Sequence, residues 1–248
     1  MSSLLSVRIH GFPHNVCEPF WLFDNDVDLK AHPKYQEAKA GGIEAAVELV
    51  SDVALEFLVS IKAKLPSDAI YIAPHAREAT GDNAIPQVLA TAAAIVGQGK
   101  VETDIVQVTR VYHTGADPME RMCLRPDFEG AIIKDAPYIL IDDVTNMGGT
   151  LAELSNYLQC AGGQVVAAIV LVNAGRVKQF QPTRKVIREL GKRYANEIEE
   201  IFGIATSALT ANEANYIIGF KSADEIRNRL AKARKETDNR LRSKGIER

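Results

Sequence analysis

Cysteine is scarce in this chain of 248 residues, and the three that occur, Cys17, Cys123 and Cys160, lie far apart. They cannot all pair within one chain, and no Cys-x-x-Cys or Cys/His spacing is present to hold zinc, which points to reduced thiols and a cytoplasmic location. Long apolar runs are missing too. The longest, Val165 to Val172, has the length of a strand and falls far short of the ~20 residues that cross a bilayer. From Met1 to His10 there is no cationic stretch leading into an apolar one, so neither secretion nor membrane insertion is expected. An excess of positive charge is also absent. With a net charge of -3 the chain has no overall field to draw it onto nucleic acid or anionic lipid, and any such contact must come from a local patch. His10, His14 and His32 form no spaced cluster with acids or cysteines, which leaves no histidine metal site.

What is there suffices for one compact core with an appendage: 46% of the residues are hydrophobic and 25% charged. Pattern divides the chain into residues 1–66, 67–175 and 176–248. In the first zone Ile43, Val47, Val50, Ala54, Phe57 and Ile61 recur at steps of four and three, the spacing of one helical face, and Gly41-Gly42 separates that helix from a shorter one starting near Pro33. Phe12, Phe20, Trp21 and Phe23 show no clear period and form either a satellite core or a lid. In the second zone the apolar runs Ala69 to Ala73, Ile105 to Val111, Tyr138 to Ile141 and Val165 to Val172 alternate with helical patterns at Ile85 to Val96 and from Leu151. Such alternation predicts a mostly parallel sheet flanked by helices, with ligands at the carboxyl ends of its strands. The third zone reads as helices: one over Thr183 to Phe202, and two more started by capping boxes at Thr210/Glu213 and Ser222/Glu225. Arg227, Arg229, Lys232, Arg234, Lys235, Arg240 and Arg242 alternate on the last helix with Glu225, Glu236 and Asp238. They are either a solvated face of paired charges, the favoured reading, or a basic arm for nucleic acid or a protein partner.

One segment carries chemistry. Tyr138-Ile139-Leu140-Ile141 is a buried strand, Asp142-Asp143 follow at its carboxyl end, and Val144-Thr145-Asn146-Met147-Gly148-Gly149-Thr150 turn into a helix. Adjacent acids are costly to crowd together unless hydroxyl donors or a cation share them, and a sugar diol, often accompanied by magnesium, meets that need. From Thr145 to Thr150 the chain offers backbone N–H groups, hydroxyls and a helix N-terminus, while the glycines let an anion approach closely. Hydrogen bonds to a charged group contribute on the order of 1.5 to 3 kcal/mol each, so several such donors hold a phosphomonoester without a lysine. An apolar strand ending in two acids also fits a Walker B segment, but the matching Walker A is absent: Gly97-Gln98-Gly99-Lys100-Val101 lacks the upstream glycine and has valine where a hydroxyl should stand. No Gly-x-Gly-x-x-Gly turn follows the first core strand either, which weakens a dinucleotide site.

The segment resembles the signature of type I phosphoribosyltransferases: apolar strand, two acids, an apolar residue, a short variable stretch and Gly-x-Thr. That resemblance implies a Rossmann-like α/β fold with an N-terminal hood over 1–66, a phosphoribosyltransferase core over 67–175 and a C-terminal helical extension over 176–248. It further implies that Asp142 and Asp143 contact the ribose hydroxyls of phosphoribosyl pyrophosphate, and that Thr145, Asn146, Met147, Gly148, Gly149 and Thr150 bind its 5-phosphate. Magnesium would arrive with the substrate, with Asp142 and Asp143 as its candidate contacts on the protein. Pro74-His75-Ala76-Arg77 sits where the family binds pyrophosphate, with His75, Ala76 and Arg77 as its contacts, and Gly81-Asp82-Asn83 precedes the next helix as in competence-associated and amidotransferase-linked members. Arg110 to Arg125 would be a mobile catalytic loop carrying Arg110, His113 and Arg121. A histidine or arginine near a strand end is as often a structural hydrogen-bonding group as an anion ligand, and these assignments stay open at that point.

The resemblance implies an enzyme that transfers ribose 5-phosphate to a nitrogenous acceptor with release of pyrophosphate, working as a homodimer. A binding module that senses phosphoribosyl pyrophosphate or a nucleotide is the alternative. Asn146 stands where 6-oxopurine enzymes of the family carry an aspartate that handles the base proton, and an amide cannot do that work, which points away from hypoxanthine and guanine. Met147 replaces a usual threonine and removes one hydroxyl from the phosphate cradle.

Overall fold

The computed structural model describes residues 7–75, 83–108 and 117–243, with side chains as far as 236. In chain order the elements are β1 (Phe20–Phe23), α1 (Val27–Ala31), α2 (Tyr35–Lys39), α3 (Ile43–Ile61), β2 (Ile70–Ile72), α4 (Ile85–Gly97), β3 (Lys100–Glu102), β4 (Val106–Gln107), α5 (Pro118–Cys123) and β5 (Phe128–Glu129). They continue with β6 (Pro137–Thr145), α6 (Gly149–Cys160), β7 (Gln164–Asn173), α7 (Arg184–Tyr194), α8 (Glu197–Phe202), α9 (Ala211–Ile217) and α10 (Ala223–Ser243). Five strands form one sheet in the order β1-β7-β6-β2-β3, and every pairing in it is parallel.

Parallel strands need crossovers, and the crossovers cover both faces with helices; this is why β6 and β7 are nearly unbroken apolar runs. Their side chains alternate between two cores. On one face Tyr71, Ile139, Ile141, Ile169 and Leu171 pack with α2, α3 and α4. On the other, Ile70, Ile72, Leu140, Ala168 and Val170 pack with Leu151, Leu154 and Leu158 of α6 and with Phe12 and Phe180, whose rings stack at 3.8 Å. A third core joins α5 to the helices that follow β7, through Met119, Met122, Leu190, Ile198, Ile217 and Ile226. The connection from β2 leads outward to β3, while the connection from β6 leads the other way to β7. The sheet therefore reverses direction between β2 and β6, and the carboxyl ends of those two strands frame the crevice in which an open sheet of this kind takes a ligand.

Several expectations are corrected. Of the aromatic residues expected as a lid or satellite core, Phe20, Trp21 and Phe23 lie on the edge strand β1, with Phe20 opposite Ile169 and Trp21 opposite Val170, while Phe12 packs in the second core. The described part of the run from Ile105 contributes β4, which leaves the main sheet to pair antiparallel with β5. The edge position beside β2 goes instead to Lys100–Glu102, because Gln98 in a left-handed turn sends the chain straight back from α4 and the Lys100 N–H bonds Ala69 O at 2.9 Å. Ile43 and Val47 of α3 are 64% and 48% exposed, while Ala46 and Leu49 take the inner positions beside them. The helix expected from Thr183 to Phe202 is two, broken at Ala195 with φ 44, and both halves turn their apolar side chains into the third core. Cys17, Cys123 and Cys160 are unpaired thiols, and burial pushes Cys123 up to about 12.

Gly97 ends α4 directly over Tyr71. A Cβ there would stand 1.9 Å from the Tyr71 hydroxyl, and that hydroxyl is buried with no hydrogen-bond partner among the described residues. Gly97→Ala is expected to lower stability by about 1–3 kcal/mol through overpacking. Tyr71→Phe removes an unsatisfied buried hydroxyl and is expected to be neutral or stabilising by up to ~1 kcal/mol. Urea unfolding of the two single variants and the double variant checks this, with part of the Gly97→Ala loss recovered when Tyr71 is already Phe.

Candidate functional site

The alternation along β6 decides where the two acids go. Asp142 follows Leu140 onto the α6 side, and Asp143 follows Ile141 onto the side of α2 and α4. Asp143 is buried there and multiply bonded: Oδ2 accepts from Lys39 Nζ at 2.7 Å and from Asn83 Nδ2 at 2.9 Å, and Oδ1 accepts from the Val144 N–H at 2.9 Å. Asp142 is half-buried, accepts from the Asp143 N–H at 2.9 Å, and faces a small cleft of about 50 Å³. Burial, and then the neighbouring Asp143 carboxylate, push the Asp142 carboxyl well above the usual carboxylate range; Lys39 opposes this in part.

The same cleft is walled by the turn from Thr145 to Thr150, by Arg121 and Met122 of α5, and by Arg125. Thr145 ends the strand, its carbonyl accepting from the Ala174 N–H at 2.8 Å. Gly148 then adopts φ 76, which favours glycine, and opens α6 without a capping bond from its own side. The first N–H groups of α6 thus point at the cleft from a helix N-terminus, the arrangement that suits an anion. The Met147 carbonyl accepts from the Thr210 hydroxyl at 2.6 Å.

Beneath the turn lies a buried ionic hub. Arg8, wholly buried, bonds Glu153 of α6 at 3.0 Å and also pairs with Glu213 of α9. Arg125 bonds both Glu153 oxygens, at 2.7 and 3.1 Å, and the carbonyls of Phe202 and Gly203, each at 2.7 Å. Glu213 closes the capping box that Thr210 starts, accepting the Thr210 N–H at 2.9 Å. Four segments distant in sequence therefore meet under one turn.

Of the residues expected at the site, Asp142, Thr145, Asn146, Met147, Gly148, Gly149, Thr150 and Arg121 line one cleft. Asp143 does not share it. His75 is half-buried at the carboxyl end of β2, where its carbonyl accepts from the Gln107 N–H at 2.6 Å. Ala76, Arg77, Arg110 and His113 lie outside the described residues. Arg121 is not on a loop: Asp117 and Glu120 form a capping box that starts α5, and Met119 and Met122 anchor that helix in the third core. Three cations of the last helix are paired within the chain. Arg227 pairs with Asp224 and Glu197, Arg229 with Asp117 and Glu236, and Lys232 with Glu236; the Arg240 and Arg242 side chains lie outside the description. Sequence reasoning missed Lys39, Arg8, Glu153 and Arg125. Only Glu153 left a signal, as an acid on a helix that is otherwise apolar around Leu151 and Leu154.

The fit of magnesium to the acids is poor. Asp143 already accepts three hydrogen bonds, one of them from an ammonium, and Asp142 is held toward its neutral form. Among the described residues there is no group of three or more His, Cys, Asp or Glu side chains placed to hold a metal ion, and no helix is long and apolar enough to cross a membrane.

No protein-family model matches the chain. In sequence it is similar to Protein TraN of Escherichia coli, 36% identical over 219 residues that cover 86% of this chain and 49% of that protein. An uncharacterized protein of Haemophilus influenzae is 39% identical over 133 residues, 53% of this chain and 30% of that one. The chain thus spans about half, or less, of the length of these curated relatives. Among solved structures it is similar to adenine phosphoribosyltransferase from Leishmania donovani, 15% identical, covering 62% of this chain and 84% of that chain with a TM-score of 0.35. The adenine phosphoribosyltransferase from Thermoanaerobacter pseudethanolicus is 14% identical, covering 52% and 72%, with a TM-score of 0.34. Superpositions this loose carry no weight for chemistry. The class is defined by the molecule's own features: a five-stranded parallel sheet between helices, with a glycine-bearing turn into α6 where the sheet reverses direction.

An acid whose value is raised on folding binds its proton more tightly folded than unfolded. Its contribution to stability is then greatest below the unfolded-state value and declines as pH rises from the ordinary carboxylate range through the raised value. Asp142→Asn removes that decline. The variant is expected to match the wild type in acid and to exceed it near neutrality, which chemical unfolding at a series of pH values measures. Arg8→Met strands Glu213 and part of Glu153 in the interior and is expected to destabilise by about 3–5 kcal/mol in the same assay.

Proposed function

We propose that the cleft binds a ribose 5-phosphate group and that the chain transfers it from phosphoribosyl pyrophosphate to a nitrogenous acceptor. The observation that supports this most is that Asp142 and the turn from Thr145 to Thr150 share one cleft at the place where the sheet reverses direction. The turn takes the 5-phosphate on the N–H groups that open α6, and Asp142 takes the ribose hydroxyls. In the transfer the acceptor nitrogen bonds the anomeric carbon, the bond from that carbon to the pyrophosphate oxygen breaks, and pyrophosphate leaves with the electron pair. The Asp142 carboxyl offsets positive charge developing on the ribose when it is ionised, and donates to a hydroxyl when it is not. Pro74 and His75, across the crevice at the end of β2, lie on the side from which pyrophosphate departs. Arg121 approaches the same cleft from α5, on a helix rather than a loop, so any closure over the ligand falls to other residues. Met147 presents its carbonyl to Thr210, so the cradle works through backbone N–H groups and the hydroxyls of Thr145 and Thr150.

Calorimetric titration with phosphoribosyl pyrophosphate tests the reading. Wild type is expected to bind in the micromolar range. Asp142→Asn and Gly148→Ala are each expected to weaken binding about tenfold or more, the first through lost hydrogen bonding to the ribose hydroxyls and the second through strain in a backbone that needs positive φ. A pyrophosphate-release screen across nucleobases then separates transfer from sensing: release with one base supports the enzyme, and binding without release from any of them supports the sensor. Unchanged affinity in both variants would remove the site assignment.

A further inference from the structure

Two adjacent acids at the end of a buried strand need something to share their charge, and one of them already has it. The Asp143 side chain is 5% exposed and the Lys39 side chain 34% exposed, with Nζ and Oδ2 2.7 Å apart. The carboxylate is closed off, while the lysine side chain keeps part of its surface exposed. Asn83 and the Val144 N–H take up further lone pairs of the same carboxylate. For Lys39 itself burial works against the charge, but Asp143, with smaller help from Tyr35 and Asp142, outweighs it and leaves the ammonium firmly charged. A divalent ion approaching Asp143 would have to displace that ammonium or sit beside it against like-charge repulsion.

We propose that Lys39 is the resident cation of the acidic pair: its ammonium occupies the position at Asp143 that a divalent metal would otherwise take, and the ribose edge of the site works without a metal on a protein carboxylate. The position of Lys39 is not accidental to the fold. It is the last residue of α2, whose Tyr35 and Ala38 are buried in the same core as Ile139 and Ile141, so the helix is packed where its terminal lysine reaches the strand end 104 residues later. Lys39 is thereby a positioning residue. It holds Asp143 in place and lowers the repulsion that Asp142 feels.

The metal arm of the test uses Mn2+ alone, followed by electron paramagnetic resonance on the full chain. Wild type and Lys39→Arg are expected to show no binding that depends on Asp143, whereas Lys39→Met is expected to gain a site at least about tenfold tighter, lost again when Asp143→Asn is added. Lys39→Gln, which keeps a donor to Asp143 but not the charge, replaces Lys39→Met if circular dichroism shows that variant unfolded. Wild-type Mn2+ binding that disappears in Asp143→Asn overturns the proposal, and so does a folded charge-free variant that gains no site. The ligand arm rests on the ribose 5-phosphate reading. Wild type is expected to bind ribose 5-phosphate with affinities in EDTA and in magnesium that agree within about threefold, while Lys39→Met weakens about tenfold in EDTA and recovers in magnesium. A wild type that needs magnesium contradicts the proposal. Failure of every protein to bind ribose 5-phosphate would count against the ribose reading alone, since the Mn2+ arm decides the role of Lys39 by itself.

Discussion

Strand β6 is covered by helices on both faces, and its side chains alternate. Those two facts together forbid Asp142 and Asp143 from sharing one environment. One acid must enter the layer made by α2 and α4, where it is buried and has to be neutralised; the other must look toward α6 and the turn that follows. Much of the site's arrangement derives from this division. Lys39 and Asn83 converge on Asp143 because a lone buried carboxylate there would be untenable. Asp142, with no cation bonded to it in the structure, has its carboxyl pushed well above the usual carboxylate range and faces the cleft.

The turn after β6 is held by forces of a different kind. Arg8, Glu153, Arg125 and Glu213 are taken out of water together, and such a cluster contributes little net stability compared with a well-packed apolar core. Its effect is on geometry. Glu153 lies one turn into α6, so the pairs it makes fix where that helix begins, and the first N–H groups of α6 are aimed by residues outside the helix. The C-terminal helices enter the same arrangement through Glu213. They are a wall of the site as well as a continuation of the chain.

The central part of this was legible in the sequence because it is local. An unbroken apolar run, two acids and a glycine-bearing turn into a helix announce β6 and α6 without reference to anything else. The capping box at Thr210 was legible for the same reason. What was not legible depended on partners far away or on elements too short to show a period. Lys-Val-Glu at 100–102 has a single apolar residue and makes a strand only because β2 is there to pair with it. Phe20 to Phe23 looks like a cluster and becomes a strand because β7 has a free edge. Ala195 breaks a helix with neither glycine nor proline to mark the spot. Lys39 sits at the end of a five-residue helix in an ordinary polar context, and nothing in its surroundings announces a carboxylate more than a hundred residues away.

The bond from the Thr210 hydroxyl to the Met147 carbonyl crosses 63 residues of chain. A turn that reads as self-contained is therefore only partly specified by its own letters. Two proteins with identical turns and different helices after β7 would present that carbonyl differently, one rotated away from an incoming anion and one toward it. A match in the motif therefore warrants an inference about ligand only when the downstream hydroxyl is matched as well, and the same condition governs any attempt to transplant the turn onto another sheet.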